Sequence, residues 1–167
     1  MYRIADRTLS FLETMAAIVA GAFLLAAMVI VSADAAMRYL FARPLTFQFA
    51  LTENYLLVGL ILMALPWGFR TGGYIRIETL PRLLPPPLGA GLIRLGLAAS
   101  AGYLGALTFY SWGKFHSAWV KGEVVLGVID WPVSLSWIWV PLGCGLLSIR
   151  LILSALGPLI SDGSGHT

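Results

Sequence analysis

Long apolar runs alternate with short polar stretches along this chain, and four of the runs are long enough to cross a membrane. They cover about residues 12–36, 50–69, 88–112 and 133–156. A membrane-spanning helix needs about 20 mostly apolar residues, because the hydrocarbon core is about 30 Å thick and each residue rises about 1.5 Å. The pattern therefore predicts an all-α membrane protein, in which residues 1–167 form a single integral membrane domain of four transmembrane helices.

The stretch between the second and third runs is predicted to be a short amphipathic segment lying along the membrane surface. Ile77, Leu80 and Leu84 recur at helical spacing on one face. Glu78 and Arg82 stand four residues apart on another face, where opposite charges attract each other. An apolar face opposite a charged face is typical of interfacial helices.

Small residues and a proline indicate how two of the predicted helices pack. The third helix is rich in glycine and alanine and includes Gly102; such residues let helix backbones approach closely in lipid. Pro141 lies in the first half of the fourth helix, where it removes a backbone hydrogen bond. We therefore expect Gly102 to lie at a helix contact and Pro141 to kink the fourth helix.

The composition agrees with a lipid bilayer as the main solvent. Hydrophobic residues make up 59% of the chain and charged residues 11%, whereas soluble domains contain roughly 25% charged residues. The net charge of +3 is small and spread over the loops, so no nucleic-acid partner is predicted. The apolar run from Thr14 to Ala33 is too long for the apolar part of a cleavable signal peptide, which favours a retained first helix.

The distribution of lysine and arginine predicts that both termini face the cytoplasm. Cytoplasmic loops of membrane proteins carry an excess of these residues. The side with the termini and the loop between helices two and three carries Arg3, Arg7, Arg70, Arg76, Arg82 and Arg150, and the other side carries Arg38, Arg43, Lys114 and Lys121. Arg94 can snorkel to the first side and would strengthen the bias.

Ionisable side chains inside the membrane are the first candidates for function, because a charge in hydrocarbon is costly. The pattern singles out Asp34, Glu53 and Arg94, all near predicted helix ends. Asp34 and Arg38 are four residues apart and are predicted to form an ion pair that closes helix one. Glu53 is interpreted either as an interfacial carboxylate or as a buried partner of Arg38 or Arg43.

No residue pattern predicts catalysis, a cofactor or a metal site. His116 lies in a predicted loop and His166 in the tail, which excludes a haem held by two histidines inside the helices. No spacing of histidine, cysteine or carboxylate side chains resembles a metal site or a nucleophilic triad. The single cysteine, Cys144, is interpreted as a packing residue. We therefore expect that the protein is not an enzyme.

Three stretches of the chain resemble one transporter family, namely residues 37–41 (MRYLF), 52–54 (TEN) and 68–80 (GFRTGGYIRIETL). Residues 140–143 (VPLG) add a fourth similarity within the predicted fourth helix. Together they resemble the small permease subunit of tripartite ATP-independent periplasmic (TRAP) transporters. Tyr74 stands where a histidine is usual in that family, and Ile77-Glu78 replaces Val-Asp.

The resemblance implies a non-catalytic scaffold in the bacterial inner membrane. Its partners would be a large TRAP membrane subunit, which carries the sodium and substrate sites, and a periplasmic solute-binding protein. The system would take up an organic acid by sodium-coupled symport. A membrane anchor of an enzyme complex, or a stand-alone small transporter or channel, is the alternative. The candidate structural or interface residues are Asp34, Arg38, Glu53, Arg70, Arg76, Gly102 and Pro141.

Overall fold

Helices make up almost all of the chain that the computed structural model describes, which is residues 2–73, 85–125 and 130–156. The helices are α1 (Tyr2–Phe41), α2 (Gln48–Leu51), α3 (Val58–Arg70), α4 (Pro86–Lys121), α5 (Val133–Trp137) and α6 (Trp139–Leu156). A π-helical segment (Thr52–Leu57) continues α2 into α3. Four spans are long and apolar enough to cross a membrane, namely Asp6–Phe41, Gln48–Arg70, Gly91–Lys121 and Val133–Leu156. The predicted all-α class with four transmembrane helices is confirmed.

Three of the four helical spans extend further than the apolar runs predicted. α1 has 40 residues and is about 60 Å long, twice the thickness of the hydrocarbon core. α4 continues past residue 112 to Lys121, where Gly122 ends it with a φ of +62°. Glycine adopts this left-handed conformation without strain and commonly follows the last helical residue. Apolar runs therefore mark the part of a helix in lipid and miss its polar ends.

α3 and α6 form the middle of the helical bundle, with α1 packed on α3 and α4 packed on α6. Ala16 and Ala20 of α1 pack with Met63 of α3. On the other side, Ala101 of α4 packs with Leu147 and Leu151 of α6. Small side chains on the outer helices thus allow close contact with the two central ones.

Two prolines shape the contact between the central helices. Pro66 in α3 has no N–H to donate to the carbonyl of Leu62, four residues earlier. Gly143 of α6 lies against that carbonyl group, where an added Cβ would come within 2.8 Å of the Leu62 carbonyl carbon. Pro141 likewise has no N–H for the carbonyl of Trp137, and the fourth span is interrupted at Ile138 between α5 and α6. The interruption therefore falls one turn before the proline.

A short hairpin precedes the fourth span. Val124–Val125 pairs antiparallel with Trp131–Pro132, and the Val133 N–H donates to the Glu123 carbonyl at 2.9 Å. This pair of two-residue strands brings the end of α4 close to the start of α5. The predicted amphipathic segment around Ile77 to Leu84 lies outside the described residues.

Candidate functional site

Four charged side chains from three helices meet at one end of the bundle. Asp6 and Glu13 belong to α1, Arg70 is the last residue of α3, and Arg150 lies in α6. We call these residues the four-charge cluster. Glu13 is completely buried and Arg150 is 8% exposed. Two acids and two bases give the cluster a formal net charge of zero, so each buried charge has an opposite charge beside it.

Each arginine of the four-charge cluster joins its own helix to α1. The Arg150 Nε lies 3.1 Å from the Glu13 Oε1, and its Nη1 donates to the Asp6 Oδ1 at 2.6 Å. The Arg70 Nη1 lies 3.6 Å from the Glu13 Oε2. That same nitrogen donates to the Ser10 carbonyl at 2.8 Å, while Nη2 donates to the Thr14 hydroxyl at 3.1 Å.

The buried carboxylate of Glu13 is stabilised by the charges of its two arginines. In the described part of the chain, neither of its carboxylate oxygens accepts a well-directed hydrogen bond. Its charge is therefore stabilised by the proximity of the two guanidinium groups. Removing one of the two cations would leave this buried carboxylate without enough opposite charge, which would destabilise the fold. The arrangement can clamp α1, α3 and α6 together.

The sequence pattern missed this cluster, and the prediction that only Asp34, Glu53 and Arg94 are candidate ionisable groups within the membrane was wrong. Glu13 falls within the first apolar run, 12–36, and Arg150 within the fourth, 133–156. A charged residue inside a predicted membrane helix was the available signal. The sequence pattern instead places Arg150 among the arginines of the side predicted to face the cytoplasm.

Asp34 closes the opposite end of α1. Its Oδ2 accepts a hydrogen bond from the Arg38 Nε at 2.7 Å, so the predicted pair is present. Its Oδ1 accepts a second one from the Leu45 N–H at 2.7 Å. Asp34 is buried although Arg38 is exposed. The carboxylate thereby fixes the loop that leads into α2, which the sequence spacing alone did not indicate.

Glu53 lies in the π-helical segment and points away from the bundle. Its side chain is exposed, and the structure forms no ion pair between it and Arg38 or Arg43 in the described residues. The interpretation of Glu53 as a buried partner of either arginine is therefore wrong. The Tyr55 hydroxyl and the Ser136 hydroxyl donate to the Pro132 and Asn54 carbonyls, which attaches the π-helical segment to the start of the fourth span.

The remaining candidates are distributed over the bundle. Arg94 is exposed on α4, Pro141 is buried in α6, and Arg76 lies outside the described residues. Gly102 is exposed, and an added Cβ would meet nothing within 4 Å. At Gly105, one turn further, an added Cβ would lie 3.6 Å from the Ser148 hydroxyl oxygen. The contact within this chain is therefore made beside Gly102, and an interface role for Gly102 stays a prediction.

Potential metal ligands are not grouped in the described part of the chain. Within residues 2–73, 85–125 and 130–156, no three histidine, cysteine or carboxylate side chains are grouped so that they could hold a metal ion. Cys144 is buried in α6 and free of a disulfide.

The family model described as tripartite ATP-independent periplasmic transporters, DctQ component, matches residues 27–160. The chain belongs to this family. A DctQ protein is the small permease component of a TRAP transporter and works with the other components of a tripartite system. The chain is therefore a multi-pass bacterial membrane protein, and the resemblance drawn from its sequence is confirmed. None of the curated proteins matches the chain.

The matched range covers only part of the four-charge cluster. Arg70 and Arg150 fall within residues 27–160, whereas Asp6 and Glu13 precede them. Asp34, Arg38 and Glu53, at the opposite end of the bundle, are all included. The DctQ match thus contains the arginines of the cluster and the whole polar end around Asp34.

Proposed function

We propose that this DctQ chain is the non-catalytic scaffold of a sodium-coupled TRAP transporter in the bacterial inner membrane. It supports the large membrane subunit, which binds the coupling ion and an organic acid. A periplasmic solute-binding protein delivers that acid. The chain itself contributes packing surface and fixed helix positions, and no side chain of it contacts the transported ion or solute.

The observation that carries this proposal is the position of the buried charges. Glu13 and Arg150 are paired at one end of the bundle, and Asp34 is held by Arg38 and the Leu45 N–H at the other. The other buried polar side chains of the described residues are Ser111, Ser134 and Ser148. Substrate and coupling-ion sites of secondary transporters lie near the bilayer midplane. Paired charges at the two ends of the bundle instead favour a structural role.

Reconstitution tests the scaffold proposal. Liposomes containing both membrane subunits and supplied with the binding protein should take up an organic acid with a sodium gradient, and uptake should fall to background without this chain. A panel of dicarboxylates, sugar acids and sialic acid would identify the substrate. Equal uptake by the large subunit alone, per molecule reconstituted, would contradict the proposal.

Charge removal separates a scaffold from a participant in coupling within the same assay. Arg38→Gln should lower the amount of assembled complex, because it leaves the buried Asp34 carboxylate without its cation. Glu53→Gln removes an exposed carboxylate that has no ion pair in the described residues. Complexes that do assemble should keep the wild-type apparent affinity and sodium dependence. If Glu53→Gln changes sodium dependence while assembly stays intact, Glu53 belongs to the coupling machinery and the scaffold proposal is wrong.

We expect the four-charge cluster to face the cytoplasm, in an orientation with both termini inside. The reason is the arginine and lysine bias between the two sides of the bundle. In a Cys144→Ser background, Ser117→Cys should react in intact spheroplasts with a membrane-impermeant maleimide. Thr71→Cys, placed just after α3, should react only after the membrane is opened. The opposite labelling pattern would reverse the orientation.

A further inference from the structure

One side of the second membrane span points away from every other helix in the described structure. Phe49, Leu57 and Ile61 are 70%, 40% and 58% exposed, and Glu53 is exposed between them. These four residues follow one another at four-residue intervals, and we call them the outward stripe. Tyr55, Leu56, Gly59 and Met63 of the same span are buried against the bundle. The outward stripe is thus an apolar surface with one carboxylate in it.

The π-helical segment sets the direction of Glu53. A π-helical turn contains an extra residue, which rotates the preceding part of the helix by about 100° relative to a continuous α-helix. The Tyr55 hydroxyl donates to the Pro132 carbonyl at 2.7 Å, and the Ser136 hydroxyl donates to the Asn54 carbonyl. These contacts fasten the segment on both sides of its centre. These hydrogen bonds therefore hold the Glu53 side chain on the outer surface of the bundle.

Glu53 lies inside an apolar span. It is the sixth of the 23 residues of Gln48–Arg70, a span long and apolar enough to cross a membrane. Phe49 and Leu57, one turn to either side of Glu53, are exposed apolar side chains. A carboxylate placed in this way is costly in a membrane unless a partner covers it.

None of the cations in the described residues neutralises Glu53. Arg38 donates to Asp34 at 2.7 Å, and Lys121 lies 3.9 Å from Glu123. Arg43 and Lys114 form no ion pair with Glu53 in the described residues. A charge within hydrocarbon is stable only with a partner or a path to water. Phe49, an exposed apolar side chain, lies between Glu53 and the nearer end of the span, so a cation on a protein helix fits the site better than the amine of a phospholipid headgroup.

We propose that Glu53 forms an ion pair with an arginine or lysine on a transmembrane helix of the large membrane subunit, which packs along the outward stripe. The inference rests on the proposed function, because it requires that subunit as a partner. Phe49, Leu57 and Ile61 surround the carboxylate with apolar contacts and exclude lipid from the pair. The Glu53 carboxylate thereby sets the register between the two subunits, in the way that a single buried polar group fixes the register of packed helices.

Charge variants test the pair by co-purification of the large subunit with a tagged DctQ chain. Glu53→Lys should reduce the recovered large subunit by about tenfold or more, since it brings two cations together, and Glu53→Gln should reduce it severalfold. Glu123→Gln is the matched control, because Glu123 is an exposed carboxylate in the loop at the same end. Its recovery should stay within about twofold of wild type. The membrane content of each variant is measured first, so that loss of insertion is distinguished from loss of the pair.

Photocrosslinking locates the partner without changing Glu53. A benzoylphenylalanine at Leu57, one turn from Glu53, should form an adduct with a helix of the large subunit that carries a basic residue. The same group in place of Tyr103, which is 67% exposed on α4, serves as the comparison, because this position is exposed but lies outside the outward stripe. Replacing that basic residue by glutamate should restore assembly of Glu53→Lys.

The outcomes separate this inference from the proposed function. Adducts from position 57 with lipid alone, or wild-type recovery of Glu53→Lys and Glu53→Gln, would overturn the ion pair while the scaffold role stands. Failure of the wild-type chain to co-purify with the large subunit would overturn the proposed function and, with it, the pair.

Discussion

Glu13→Gln is expected to destabilise the chain by about 3–5 kcal/mol, because it removes the buried carboxylate that both Arg70 and Arg150 contact. Glutamine keeps the size of the side chain and removes its charge. Arg70 and Arg150 would then repel each other where α1, α3 and α6 meet. The measurement is the midpoint of thermal unfolding in detergent, together with the monodisperse fraction on size-exclusion chromatography.

Two further variants make the Glu13 result specific. Arg7→Gln removes an exposed charge one residue from Asp6 and should change stability by less than about 0.5 kcal/mol. Glu13→Gln combined with Arg150→Gln should cost less than the sum of the single changes, because the double variant removes both members of a contacting pair. A Glu13→Gln protein as stable as Arg7→Gln would show that the cluster does not hold the helices together.

The membrane-spanning helices could be predicted from the sequence because each contains its own signal. A run of about 20 apolar residues is local, and the four runs correspond to the four spans. The Asp34–Arg38 pair was predictable for the same reason, since both residues are on one helix, four residues apart. The ending of α4 also had a local signal, the glycine at position 122 directly after Lys121.

The four-charge cluster could not be assembled from sequence because its contacts join distant parts of the chain. Arg150 reaches Asp6 across 144 positions, and Arg70 reaches Ser10 across 60. The first residues of α1 are too polar to resemble a membrane span, so the predicted helix began at about residue 12. In the fold, Asp6 and Ser10 accept hydrogen bonds from these arginines, and the helix starts at Tyr2.

The π-helical segment had no local signal either. The carbonyl of Asn54 accepts a hydrogen bond from Ser136, and Tyr55 donates to Pro132, at separations of 82 and 77 positions. Such long-range contacts decide between α and π geometry over only six residues, Thr52–Leu57. The outward direction of Glu53 depends on that choice, so its two interpretations could be separated only in the fold.

Gly143→Ala is expected to destabilise the chain by about 3 kcal/mol, because a methyl group at this position would overlap the backbone of α3. An added Cβ would lie 2.8 Å from the carbonyl carbon and from the Cβ of Leu62, and closer to the carbonyl oxygen. Real Cβ atoms do not approach this closely, so α3 and α6 would have to separate. The Leu62 carbonyl cannot move away by itself, because it belongs to the backbone of a packed helix.

The glycine and the two prolines act together at this contact. Pro66, which is fully buried, leaves the Leu62 carbonyl without its helical donor. Gly143 lets α6 approach that carbonyl, and Pro141 lies two residues earlier at the start of the close contact. α3 and α6 also carry Arg70 and Arg150, so moving them apart would strain the four-charge cluster. The loss of stability should therefore exceed that of an ordinary overpacked position.

Gly145→Ala is the matched control on the same helix. Its added Cβ would lie 3.5 Å from the Thr108 Cγ2, an ordinary van der Waals contact. Alanine also favours the helix over glycine by up to about 1 kcal/mol, so this variant should be neutral or stabilised. Thermal unfolding of the purified variants in one detergent compares them directly. Equal midpoints for Gly143→Ala and Gly145→Ala would mean that α3 and α6 can separate at Leu62 without loss, and that the glycine is not required for their close approach.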